Sequence, residues 1–65
     1  MFAIRLKELR QEKELSQNQL AKLLCVSKQN ISDWENNKSE TSFEILAKIA
    51  KFFDVSADYL LGLED

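Results

Sequence analysis

A chain of 65 residues has room for one small domain, which buries only about 60% of the surface its unfolded form exposes and so needs a dense core and well-finished helix ends. Nearly half the residues are apolar and about a third are charged, a soluble globular balance, and no apolar run nears the roughly 20 residues that span a bilayer. The net charge is −2 but unevenly spread: residues 1–53 carry +2, while Asp54, Asp58, Glu64 and Asp65 give the remainder −4, so the acidic excess is a C-terminal feature and leaves a modestly basic body free for an anionic partner.

With no proline and a single glycine, Gly62, the composition favours helices, and other residues must make the turns. The spacing predicts five. The first runs from about Phe2 to Lys13, with Phe2, Leu6 and Leu9 inward at intervals of three and four, and Lys7, Glu8, Glu12 and Lys13 on the solvent face. Ile4 is open to either a core or a partner contact. Ser16, followed three residues later by Gln19, forms a capping box that opens a second helix ending near Leu24. Ser27 caps a third helix, spanning about 27–36. The loop formers Asn36, Asn37, Lys38 and Ser39 follow it. Thr41 and Glu44 read as a second capping box for a fourth helix that ends at Phe53, with Phe43, Leu46, Ala47, Ile49, Ala50 and Phe53 as its apolar stripe. Ser56 caps a short fifth helix to about Leu61, Asp58 suits the positive end of its dipole, and Gly62 stops it.

Residues 17–36 carry the strongest signal. Leu20 and Leu24 share one helix face, Ala21 is small enough for a second helix to approach closely, and Ile31 and Trp34 form the inner face of that second helix. Between them lies the tight connection Leu24-Cys25-Val26-Ser27. This is a helix-turn-helix layout, whose second helix suits the DNA major groove. With Ile31 and Trp34 inward, Lys28, Gln29 and Ser32 fall on an outward strip, flanked by Asn30 and Asp33. Amides can bond adenine at two points, lysine can donate to guanine, and a carboxylate can accept from cytosine. Asp33 could equally restrain a neighbouring lysine or face solvent, and a solvated polar face is the plain alternative for the whole strip. Gln17, in the first turn of the second helix, is placed to meet a DNA phosphate. Asn36 and Lys38, just past the third helix, are placed to meet the opposite backbone, with solvated loop residues as the alternative.

Four stretches, Arg5-Leu-Lys-Glu-Leu-Arg10, Leu15-Ser-Gln-Asn-Gln-Leu-Ala21, Ile31-Ser-Asp-Trp-Glu-Asn36 and Phe53-Asp-Val-Ser-Ala-Asp-Tyr-Leu-Leu-Gly62, together resemble the phage repressor and Cro type of helix-turn-helix, the XRE family. The likeness covers nearly the whole chain. It implies an all-α, compact five-helix domain of lambda-repressor-like fold that binds double-stranded operator or promoter DNA and regulates transcription, usually as a homodimer on paired half-sites. It supports Lys28, Gln29 and Asp33 as base readers, with Ser32 beside them, and it makes Arg10 and Glu35 a partly buried structural ion pair. Repression by excluding polymerase is the simplest action, and activation by touching polymerase is the other. The family often places glycine where this chain has Glu14, Cys25, Asn37 and Asp54, and often has proline near Thr41. Asn37 and Asp54 reach positive φ at low cost, whereas Cys25 is less suited to it.

Nothing in the chain points to catalysis, a metal or a cofactor. It has no histidine and no glycine-rich phosphate loop, and Cys25 has no histidine to act as its base. One cysteine cannot form an internal disulfide, and Arg5 and Lys7 interrupt the opening apolar residues, which argues against a secretory signal. The expected setting is cytoplasmic, at the nucleoid when DNA is bound, with no membrane or small-molecule partner. Trp34 and the phenylalanines read as core residues rather than a stacking platform. Tyr59, Leu60, Leu61 and Leu63 are more apolar than a chain end needs: some must cap the core, and the rest, with Ile4 or Phe52, suit a dimer seam. The rival reading is a protein-interaction module, such as an antitoxin or anti-repressor on the same fold, which the acidic total charge favours.

Overall fold

The computed structural model describes residues 1–63, so Glu64 and Asp65, two of the four C-terminal acids, lie outside the described residues. Among those residues the chain is all-helical: α1 (Phe2–Glu12), α2 (Gln17–Leu24), α3 (Lys28–Glu35), α4 (Phe43–Phe53) and α5 (Ala57–Leu61).

Serines start four of them. Ser16, Ser27, Ser42 and Ser56 each hold an extended backbone, and their hydroxyls accept the N–H of the residue three positions on. Each cap satisfies a donor that the first helical turn leaves without a partner. At Ser16 the box is complete, because its own N–H donates to Gln19 Oε1 at 2.8 Å. The box expected at Thr41 does not form. Ser42 is the cap of α4 and takes the Ile45 N–H at 3.2 Å, while the Thr41 hydroxyl turns to the carbonyl of Ser42. Both residues carry a hydroxyl, and the cap falls to the one that adjoins the first helical turn.

All five helices end by one device. The backbone turns left-handed at Glu14, Cys25, Asn37, Asp54 and Gly62, with φ between 56° and 78°. The N–H of that residue reaches back three positions, and the next N–H reaches back five: Cys25 to Lys22 and Val26 to Ala21 are typical, at 3.3 and 3.0 Å. This is the Schellman arrangement, which absorbs the carbonyls left over at a helix end. Three of the residues that follow the left-handed position, Leu15, Val26 and Val55, fold back onto the core. The four positions at which the family often has glycine are therefore the four non-glycine left-handed residues, Cys25 among them.

The core joins Leu6 and Leu9 of α1, Leu20, Ala21 and Leu24 of α2, Ile31 and Trp34 of α3, Leu46, Ile49, Ala50 and Phe53 of α4, and Leu60 of α5. Six of these, Leu6, Leu20, Leu24, Ile31, Ile49 and Leu60, are completely enclosed. Ala3 is buried on α1, where Phe2 was expected; Phe2 is only half-buried, at the rim. Phe43 and Ala47 leave the stripe predicted for α4. Both are exposed, Phe43 by 88%, because it occupies the first position of the helix, where no neighbouring element covers it. Leu60 caps the core, whereas Ile4, Leu61 and Leu63 stay in solvent. Tyr59 lies under the Arg5 guanidinium, 4.1 Å from its ring centre, and its carbonyl accepts Arg5 Nη1 at 2.7 Å, which ties α5 to α1.

Candidate nucleic-acid interface

The helix-turn-helix is built from α2, the left-handed corner at Cys25, and α3. Ile31 and Trp34 anchor α3 against α2 and α1, with Ile31 fully buried and Trp34 5% exposed. The opposite side of the same helix is open. Lys28, Gln29 and Asn30 are exposed, and Ser32 and Asp33 beside them are half-buried. The amide-rich strip expected from the spacing is therefore displayed rather than folded inward.

Two side-chain contacts organise that strip. Gln29 Nε2 donates to Asp33 Oδ1 at 2.8 Å, one turn along the helix. Asn36 Nδ2 donates to the Ser32 carbonyl at 2.9 Å and to its hydroxyl at 3.3 Å, so Asn36 finishes α3 as its C-cap. Lys38 is exposed in the loop beyond, and its N–H closes the helix end on the Asp33 carbonyl at 2.8 Å. Asp33 thus holds the amide of Gln29 on the same side of the helix.

Behind the strip sits a charged clamp. Arg10 Nε and Nη2 donate to Glu35 Oε2 and Oε1 at 2.7 and 3.0 Å, and Arg10 Nη1 donates to the Leu15 carbonyl at 2.8 Å. Both side chains are largely out of solvent, with Glu35 3% and Arg10 12% exposed. Gln17 joins the clamp, donating from Nε2 to Glu35 Oε1 at 3.1 Å, and is half-buried. One amide hydrogen of Gln17 is thus committed inward, which fixes its side chain at the first turn of α2. Sequence spacing alone did not point to this link, since Gln17 and Glu35 lie on different helices.

A second fastening was also missed. Lys48 on α4 reaches across to donate to the Leu24 carbonyl at 3.0 Å. It supports the end of α2 just before the corner, where a cation is favoured by the helix dipole. Among the described residues, no group of three or more histidine, cysteine or acidic side chains gathers as a metal-binding set would, and no helix is long and apolar enough to cross a membrane. Cys25 is an exposed free thiol at the corner.

The helix-turn-helix family model matches residues 6–60. The HTH-type transcriptional activator BcrR of Enterococcus faecalis is 45% identical over 64 residues, covering 98% of this chain and 31% of that protein. The HTH-type transcriptional regulator ImmR of Bacillus subtilis is 34% identical over 61 residues, 94% of this chain and 48% of that protein. An uncharacterised HTH-type transcriptional regulator of Methanocaldococcus jannaschii, MJ0272, is 41% identical over 61 residues, 94% of this chain and 92% of its own length. The chain thus spans about a third of BcrR and about half of ImmR. A match over most of the chain, on top of two short helices joined at a left-handed corner, settles the family: the chain belongs to the helix-turn-helix family of DNA-binding transcriptional regulators, of the phage repressor and Cro (XRE) type.

Proposed function

We propose that residues 1–65 act as one sequence-specific module for double-stranded DNA, with α3 as the recognition helix in the major groove. The observation that carries this reading is the division of α3 into a buried side, Ile31 and Trp34, and an open side of Lys28, Gln29 and Asn30 with Ser32 and Asp33 beside them. These five form the base-reading strip: the ammonium, amide and hydroxyl groups of Lys28, Gln29, Asn30 and Ser32 match base edges in that groove, and Asp33 stands beside them, hydrogen-bonded to Gln29. Gln17, Asn36 and Lys38 take the phosphates on either side, with the dipole of α2 aiding Gln17.

The module works as a homodimer on paired half-sites whose centres lie about 34 Å apart. The exposed apolar side chains Ile4, Leu61 and Leu63 support a seam at the α1 and α5 end. Occupancy of a promoter then represses by excluding polymerase, which requires no surface beyond those named. BcrR is named an activator, and a reporter with the site moved upstream of the polymerase footprint separates the two signs. The protein would act in the cytoplasm, on the nucleoid.

Selection of bound sequences from a random DNA pool, followed by gel shifts over a salt series, tests the reading. A shared, twofold-related motif with steeply salt-dependent retention is the expected result. Absence of retention at low salt, together with co-purification of a protein, would favour an antitoxin or anti-repressor module instead.

A further inference from the structure

Gln29 and Asp33 sit four residues apart on the open side of α3, and the Gln29 amide nitrogen lies 2.8 Å from Asp33 Oδ1. The Asp33 carboxylate offers only acceptors, so the amide must present its nitrogen to it; the reverse orientation would set two acceptor oxygens against each other. The contact therefore fixes which way the amide faces. It also takes one of the two amide hydrogens. What remains for a ligand is one N–H and the carbonyl oxygen, a single donor beside a single acceptor.

Among single bases, only adenine complements that pair in the major groove. Adenine shows an acceptor at N7 and a donor at N6, whereas guanine shows acceptors at both N7 and O6. A free glutamine amide can turn its NH2 group toward guanine and offer a hydrogen to each acceptor. With one hydrogen held by Asp33, it cannot, and its oxygen would face a guanine acceptor without a hydrogen between them. We propose that Asp33 is a positioning residue that sets the base preference of Gln29, holding its amide in the form that accepts adenine and rejects guanine. The inference rests on the major-groove reading of α3 given above. It assigns Asp33 a role through its neighbour in place of a cytosine contact of its own.

The test is selection of bound sequences with the wild type, Gln29→Ala, Asp33→Ala, Asp33→Glu and the Gln29→Ala/Asp33→Ala double variant. The readout is the ratio of adenine to guanine at each base pair. A loss of folded protein lowers all sequences alike and leaves such ratios unmoved. The wild type is expected to favour adenine by about tenfold at one base pair, within the range of a two-point base contact. Gln29→Ala abolishes the preference there. Asp33→Ala brings the ratio at that same base pair to within about threefold by admitting guanine, and adds nothing once Gln29 is gone. Asp33→Glu, still an acceptor-only group one turn away, keeps adenine favoured. An unchanged ratio in Asp33→Ala, with the preference lost in Gln29→Ala, overturns the inference and leaves the major-groove reading standing. Relaxation at a different base pair overturns it too, by giving Asp33 a contact of its own. Ratios untouched by Gln29→Ala would overturn it as well, by removing Gln29 from the base readers.

Discussion

Arg10 and Glu35 grip one another by two parallel hydrogen bonds, the shorter at 2.7 Å, so the last turn of α1 is fastened to the last turn of α3. The fork geometry of a guanidinium makes this possible, and a lysine could not reproduce it. Glu35 also receives Gln17, and Arg10 also holds the Leu15 carbonyl, so four parts of the chain meet at one buried pair. Removing one member strands the other. Arg10→Met is expected to cost about 3–5 kcal/mol, lowering the thermal midpoint by roughly 12 °C or more. The companion variant Arg10→Met/Glu35→Leu should recover most of that loss, because no unpaired charge remains inside. Calorimetry on the two proteins checks both statements, and a normal midpoint for Arg10→Met would show that the pair does not hold the fold.

Cys25 pays for a left-handed backbone at φ 60° without the glycine that such a corner favours. The conformation costs a side-chain-bearing residue about 1–2 kcal/mol; glycine avoids that cost, but the greater freedom of its unfolded chain offsets part of the gain. Cys25→Gly should therefore leave stability equal or raise it by up to about 1 kcal/mol, measured by urea unfolding. Asn37→Gly should gain less, since asparagine tolerates this region. A clear drop for Cys25→Gly would mean that the thiol packs.

Ser42 and Thr41 give opposed predictions despite their similar chemistry. Ser42→Ala removes the acceptor for the Ile45 N–H and should cost about 1 kcal/mol. Thr41→Ala loses only a 3.5 Å contact with the neighbouring carbonyl and should stay within about 0.5 kcal/mol of the wild type. Equal losses in thermal melts would contradict the cap assignment.

Lys38 is exposed beyond α3 and makes no base contact in the reading proposed here. Lys38→Ala should weaken DNA binding uniformly across sequences and reduce the slope of log affinity against log salt by about one. Gel shifts with the selected site and with unrelated DNA, at several salt concentrations, provide the check. A loss confined to one sequence would make Lys38 a base reader.

The chain shows unevenly how sequence encodes this structure. The helix-turn-helix was legible because Leu20, Leu24, Ile31 and Trp34 repeat at helical intervals and serines stand at the required starts, all of which are local signals. Phe43 shows the limit of periodicity: it lies on the line of Leu46 and Phe53, yet spacing gives a direction and says nothing of whether a neighbour reaches that far. Thr41 shows the limit of a motif, since Thr-x-x-Glu and Ser-x-x-Ile begin one residue apart and backbone geometry decides between them. The reach of Lys48 to Leu24 spans 24 residues, and Gln17 to Glu35 spans 18, so neither follows from any local pattern. At the candidate site, spacing located the outward strip, but the pairing of Gln29 with Asp33 depended on which rotamers the helix allows.

The single tryptophan of the chain sits on α3, between Asp33 and Glu35, with its indole pressed into the interior. Nature has thereby placed one intrinsic fluorophore on the back of the very rod whose front is at issue. Its emission reports how that rod is seated, undiluted by any other indole, so titrations and rapid-mixing experiments can follow the seating optically without attaching a dye.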